Sequence, residues 1–265
     1  MKIKKINDII NSAKDPTEKE TLSRILDLSY RAQKTYSTTY TDFIDPFLLG
    51  KIKSHRLELL GINYLSYGGL TDSERQIIGL AHDDLDIEEK DFPINFIEVS
   101  VNTGIGKPVS HRDYLGAIMG LGIEREKIGD LVIDNNTAYV TAHSDIAEYI
   151  IYTLDSVSRY GKVTCRHILK EDIPIIKQEY KTLNCTVSSA RADAIIAEGF
   201  NMSRSKAAKL IKAQGAMCNG VIIDQASPIE ENDICTLRGH GKIKVGEIGS
   251  LTRKGRRRIK IHRYI

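Results

Sequence analysis

Residues 188–223 read SSARADAIIAEGFNMSRSKAAKLIKAQGAMCNGVII, and this stretch decides the fold of the C-terminal third. Its periodicity predicts two short helices, Ala192 to Glu198 and Arg204 to Gln214, joined by Gly199-Phe200-Asn201-Met202. Ser203 is placed to cap the second helix, because its hydroxyl can accept from a backbone N–H that has no partner in the first turn. At about 100° per residue, Ala207, Leu210 and Ile211 share one face. Lys206, Lys209 and Lys212 recur every third residue on a drifting ridge largely opposite it. One side packs and the other is cationic. Asn219-Gly220 then sits between Ala216-Met217-Cys218 and Val221-Ile222-Ile223, a hairpin signal because both turn positions want positive φ. Ile234 to Leu237, Lys242 to Ile248 and Ile259 to Tyr264 are predicted as further strands between glycine-rich turns.

Upstream, the pattern changes twice. Residues 1–57 read as helical: Asp15-Pro16-Thr17-Glu18 combines a cap, a proline at the first helical position and a glutamate three residues after the cap. Leu22, Ile25, Leu26 and Ser29 follow at helical spacing, and Thr41 to Pro46 breaks the helix. Residues 58–180 alternate short strands and helices. The predicted order is strand Ile62 to Tyr67, a Gly68-Gly69 turn, helix Asp72 to His82, strand Ile94 to Val101, and helix Arg112 to Leu121 capped by Ser110. Strands Asp130 to Asp134 and Ala138 to Thr141, helix Ile146 to Ser156 and strand Lys162 to Ile168 complete the series. This predicts an α+β chain in three parts: a helical N-terminal region over 1–57, an α/β plait over 58–180, and a third domain over 181–265.

The 265 residues carry 38 Lys and Arg against 35 Asp and Glu, a formal +3 that hides a strong asymmetry. Residues 1–57 hold 11 basic and 7 acidic side chains, 58–180 hold 11 and 21, and 181–265 hold 16 and 7, so the net charges are +4, −10 and +9. After Glu247 every charged residue is basic: Arg253, Lys254, Arg256, Arg257, Arg258, Lys260 and Arg263. A polyanionic partner at the C-terminal end is expected. In the middle part Asp83, Asp84, Asp86, Glu88, Glu89 and Asp91 cluster and repel phosphate unless positive groups gather on another face, so docking to ribosomal protein or to the other domains is expected at least as much as contact with RNA. His111 and Arg112, at a helix N-terminus, are a candidate second contact for RNA or phosphate.

Several classes are disfavoured. No apolar run approaches the ~20 residues of a spanning helix, and Met1 to Asn11 lacks the apolar core of a signal peptide, so a cytoplasmic protein is expected. Cys165, Cys185, Cys218 and Cys235 are spaced too widely for a metal clip and read as reduced core residues, so no metal is assigned. Gly104-Ile105-Gly106 completes neither a dinucleotide fingerprint, since Val109 holds the third glycine's place, nor a phosphate loop, since Pro108 follows Lys107. No cofactor and no catalytic residue is assigned; His111 with Asp113 is the least poor catalytic pair. Nothing suggests an obligate oligomer, and a monomer is expected.

The run Ser188-Ser189-Ala190-Arg191-Ala192-Asp193, then Met202-Ser203-Arg204-Ser205-Lys206-Ala207, Ile211 to Gly215, Cys218-Asn219-Gly220, Pro228, Asp233-Ile234 and Arg238-Gly239-His240-Gly241 resembles the RNA-binding domain named after small-subunit ribosomal protein S-four. That resemblance implies two helices and a curved strand segment, the αL motif, whose basic side grips structured RNA. Carried across, Arg191, Arg204, Lys206 and Lys209 are the first expected contacts. Ser203, Lys212, Asn219, Arg238, Lys242, Lys244, Arg256, Arg257 and Arg258 complete the candidate surface. Over almost the whole length, Thr41-Asp42-Phe43-Ile44-Asp45-Pro46, Tyr67-Gly68-Gly69, Ser110 to Ala117, Leu121-Gly122-Ile123 and Lys127-Ile128-Gly129-Asp130 resemble the YlmH family. The resemblance implies that the plait over 58–180 is of the RNA-recognition kind (RRM-like) and itself binds RNA, and that the whole is a non-catalytic factor on the large ribosomal subunit that binds ribosomal RNA, transfer RNA or both during rescue of stalled translation. An RNA-modifying enzyme of the methyltransferase kind and a cell-division factor acting through protein partners are the alternatives.

Overall fold

A computed structural model describes residues 10, 13, 16–54, 63–71, 73–102, 109–158, 160–174 and 179–264. The chain divides into two units, Met1–Ile176 and Lys177–Ile265.

In the first unit, helix α1 (Pro16–Thr35) buries Leu22, Ile25, Ser29 and Ala32 along one stripe. Its expected cap, Asp15, lies outside the described residues. The predicted break holds, and helix α2 (Pro46–Ser54) follows it. The Asp45 carboxylate accepts from the backbone N–H groups of Phe47 (3.0 Å) and Leu48 (3.2 Å), and Pro46 takes the first helical position, where no N–H is needed. Strands β1 (Thr39–Tyr40), β2 (Asn63–Tyr67) and β3 (Ile77–Ala81) form an antiparallel sheet with β3 in the middle.

The helix predicted over Asp72 to His82 is therefore corrected to a strand. All five residues of β3 are buried: Ile78 and Leu80 pack with Leu22 and Ile25 of α1, and Ile77 packs with Phe43 and Phe92. A strand covered on both faces reads as an unbroken apolar run, which periodicity cannot separate from a buried helix. The correction moves a boundary as well, because residues 63–81 complete the N-terminal layer and the plait begins at Ile94 instead of near residue 58.

The plait consists of β4 (Ile94–Val101), helix α3 (His111–Gly120), β5 (Ile128–Asp134), β6 (Thr137–His143), helix α4 (Ser144–Thr153), a small pair β7 (Ser156–Val157) and β8 (Tyr160–Gly161), and β9 (Val163–Ile168). The main strands are antiparallel in the order β5-β6-β4-β9, the split βαβ arrangement. Alternate residues of β4 and β6 point to the helices, where Ile97, Val99, Ala138 and Val140 meet Tyr114 and Ile118 of α3 and Ala147 and Ile150 of α4. Ser110 caps α3 in a reciprocal pair with Asp113, as its spacing predicts. The predicted Asn135-Asn136 hairpin is present, with Asn135 at φ 53°. The Gly104-Gly106 stretch lies outside the described residues.

Arg75 ties the N-terminal layer to the plait, and Arg125 braces the same place from within the plait. Arg75 donates from Nε to the Ile128 carbonyl (3.1 Å) and from Nη2 to the Phe43 carbonyl (3.0 Å). Arg125 donates to the carbonyls of Ile128 and Gly129. Burial, with Arg75 close by, lowers the Arg125 pKa to about 10. The Asp130 carboxylate accepts from the backbone N–H groups of Glu74 (2.6 Å) and Arg75 (3.2 Å), and Lys127 bridges Asp42 (2.9 Å) and Asp145 (2.6 Å).

The second unit is a six-stranded antiparallel sheet in the order β10-β15-β14-β13-β11-β12 with two helices on one face. Its elements are β10 (Tyr180–Val187), α5 (Ala192–Gly199), α6 (Arg204–Gln214), β11 (Ala216–Cys218), β12 (Val221–Ile223), β13 (Ile234–Leu237), β14 (Gly241–Leu251) and β15 (Arg257–Tyr264). Both helices fall within a residue of their predicted bounds. Asn219 (φ 50°) and Gly220 (φ 78°) make the expected tight turn. Strand β10 was not predicted; it pairs with β15 along eight residues and turns the basic tail into an ordered part of the sheet. The core joins Ile195, Ile196, Ala207 and Ile211 of the helices to Ile243, Val245, Ile259 and Ile261 of the sheet. The four cysteines are free thiols; Cys218 and Cys235 face each other across β11 and β13 with their sulfurs 3.5 Å apart.

Candidate nucleic-acid interface

Helix α6 presents the cations in an arrangement that its own stability does not favour. Its first turn contains no acidic residue but includes Arg204 and Lys206, where the partial positive charge of unpaired N–H groups already gathers. Like charges three residues apart add repulsion. Burial of Ala207 and Ile211 and the Ser203 cap, whose Oγ accepts from the Lys206 N–H (3.3 Å), offset these costs. Lys206, Lys209 and Lys212 are all exposed and make no ion pair among the described residues. The result is a fixed ridge of uncompensated charge on a packed helix, a form suited to phosphates held at regular spacing.

Arg191 and Arg204 behave differently. Both turn toward Asp193 of α5, a carboxylate only 6% exposed. Arg204 places Nε 3.0 Å from Oδ2 and Nη2 3.1 Å from Oδ1, and donates from Nη1 to Ser188 Oγ (3.3 Å). Arg191 Nε lies 3.4 Å from the same carboxylate and is buried without a hydrogen bond. Three of the five donors of Arg204 are thus spent inside the protein, and the three charges sum to +1. The side chains remain 41% and 45% exposed, so each can still show an edge to a ligand. Their main contact is nevertheless internal, and they join α5 to α6.

Other expected contacts are also engaged within the fold. Asn219 donates from Nδ2 to Asp233 (2.7 Å) and accepts from the Ile234 N–H (2.9 Å), which ties its turn to the start of β13. Arg256 donates from Nε to Thr186 Oγ1 (3.0 Å) and from Nη2 to the Thr186 carbonyl, and stands 3.9 Å from Glu198. Arg238 is exposed in the turn after β13. Lys242 and Lys244 lie on the face of the sheet away from the helices, because Ile243 and Val245 occupy the core side. Arg257 and Arg258 are exposed and, being adjacent on β15, point to opposite faces.

His111 and Arg112 open α3 in the first unit. Desolvation, helped by the charge of Arg125, pushes the His111 pKa below the ordinary imidazole value, against the opposing pull of Asp130 and Glu74. Sequence reasoning missed Arg263, whose guanidinium lies over the Phe200 ring (5.3 Å), and the aromatic Tyr180 at the start of β10. The alternation Leu183, Cys185, Val187 is the signal that would have disclosed β10.

The two layers of the first unit coincide with two family models. Residues 17–85 match the model described as "YlmH, N-terminal", and residues 88–171 match "Putative RNA-binding domain in YlmH". The chain belongs to the YlmH family. Among relatives of this YlmH-family chain is the "Ribosome-associated protein quality control protein P2" of Bacillus subtilis (strain 168), 27% identical over 250 residues that cover 93% of this chain and 95% of the relative. A solved structure titled "Cell division protein ylmH from Streptococcus pneumoniae" shares the fold with a TM-score of 0.51 at 20% identity, covering 62% of this chain and 98% of that one. The matched boundary between residues 85 and 88 agrees with a plait that starts at Ile94.

Proposed function

We propose that this YlmH-family chain is a non-catalytic RNA-binding factor that associates with the ribosome and serves quality control of stalled translation. In this reading the C-terminal unit grips ribosomal or transfer RNA of the large subunit, and the first unit sets its position. The lysine ridge of α6 carries the reading: three exposed cations without internal partners, on a helix whose first turn disfavours them. The name of the Bacillus subtilis relative and the RNA-binding description of the plait model support it. Folded RNA is recognised largely by shape and backbone, and a rigid ridge of spaced charge fits that task.

The test is co-sedimentation with ribosomal subunits. Arg204 is unsuitable for charge reversal because its loss disturbs the Asp193 cluster, so the variant is Lys206→Glu with Lys209→Glu and Lys212→Glu. Sedimentation at moderate salt is expected to disappear while circular dichroism stays unchanged. A folded triple variant that still sediments with subunits removes the basis of the assignment. Ribosomal RNA incubated with the protein and S-adenosylmethionine is expected to keep its nucleoside masses; a new stoichiometric mass would place the chain among modifying enzymes instead.

A further inference from the structure

The helices cover only one face of the C-terminal sheet. Because side chains alternate along each strand, the burial of Leu183, Cys185, Val187, Ile259 and Ile261 in the core sends the intervening residues of β10 and β15 to the other face. There Thr182, His262 and Lys244 stand side by side on three adjacent strands, with Tyr180, Tyr264 and Lys242 in the next row. Tyr180 is 53% exposed and meets the His262 ring edge to face at 4.8 Å. Thr182 Oγ1, 3.0 Å from His262 Nδ1, fixes that ring. The His262 ring packs closely against Gly246, where a Cβ would come within 3.1 Å of Nε2. Lys260 and Arg258 continue the row of cations along β15; Lys260 lies 4.0 Å from Glu247.

We propose that this open face is a second RNA surface, a platform on which Tyr180 and His262 stack unpaired bases while Lys244, Lys260 and Arg258 hold the backbone. The proposal rests on the reading of the chain as an RNA-binding factor and assigns this sheet face a different form of RNA from the α6 ridge. A duplex keeps its bases stacked on one another and has no use for protruding rings. A single strand exposes base faces, and the combination of a cationic track with aromatic rings is the chemistry that binds them. The α6 ridge is built of three lysines, which suits folded RNA; the sheet face combines cations with rings.

Fluorescence anisotropy on the full chain separates the two surfaces, using an unstructured RNA of about 12 nucleotides and a stable RNA hairpin. Tyr180→Ala is expected to weaken the single strand at least about fivefold and to leave the hairpin unchanged, while Tyr180→Phe, which keeps the ring, binds both like the parent. Tyr180 is exposed at a strand end, so its loss does not threaten the core. The Lys206→Glu, Lys209→Glu, Lys212→Glu variant is expected to lose the hairpin and keep the single strand. Unchanged single-strand binding by Tyr180→Ala overturns the proposal, as does an equal loss for both RNAs. Displacement of the oligonucleotide by polyglutamate of matched charge also overturns it, because charge alone would then account for binding. If the triple variant keeps the hairpin while Tyr180→Ala loses the single strand, the ridge assignment fails and the platform stands.

Discussion

Truncating Arg204 to alanine separates its internal role from the surface role expected of it. The substitution removes two charge-assisted contacts to a nearly buried carboxylate, at 3.0 and 3.1 Å, and leaves Asp193 with Arg191 at 3.4 Å. Removing one partner of a fully buried pair costs about 3 to 5 kcal/mol. The Arg204 side chain is 45% exposed, so water screens part of that, and about 2 to 3 kcal/mol is the expected loss. Hydrogen exchange read by mass spectrometry on the full chain should then show amides of α5 and α6 exchanging roughly 30- to 150-fold faster where they open with the whole unit. Lys209→Ala, on the same helix and without an internal partner, should change those rates less than about threefold. Adding Asp193→Asn to Arg204→Ala should recover part of the loss, because the carboxylate that was left underpaired becomes neutral. If Arg204→Ala exchanges no faster than Lys209→Ala, the buried cluster does not hold the helices together and Arg204 returns to the surface set.

Three further outcomes follow from the geometry. Replacing Lys206, Lys209 and Lys212 together by alanine should lower the slope of log affinity against log salt by about 2 to 3, measured by filter binding across a salt series. Gly68→Ala should destabilise the first unit by at least about 2 kcal/mol in urea unfolding, because a Cβ there would stand 2.3 Å from the Arg75 carbonyl oxygen and 2.4 Å from Ser73 Cβ; an unchanged midpoint would contradict the packing of that hairpin. His111 should titrate below the ordinary imidazole value in an NMR pH series. Its unfolded form then binds more protons, so its contribution to stability is complete above the unfolded pKa and is lost as pH falls through the window below it; a raised value would refute the environment described.

The second unit was the more legible half because its signals are local. The Ser203 cap, the three-residue lysine spacing and the Asn219-Gly220 turn each depend on neighbours within a few positions, and each appears where it was expected. The β3 strand failed for the opposite reason. Ile77 to Ala81 owes its conformation to β1 and β2 on its edges and to separate apolar clusters on its two faces, none of them adjacent in sequence. The candidate surface shows the same division. That Arg191, Arg204, Asn219 and Arg256 are basic or polar is a property of the chain; that each turns toward Asp193, Asp233 or Thr186 is not.

Sequence alone determined the α+β character, the charge asymmetry, the family and the cationic ridge of α6, because periodicity, composition and short motifs are properties of contiguous residues. Tertiary structure decided which cations remain available, where the plait begins, and that β10 and β15 pair to make a sheet with an uncovered face. Those outcomes depend on which distant segments meet, and a carboxylate such as Asp193 becomes a partner only after folding has removed it from water.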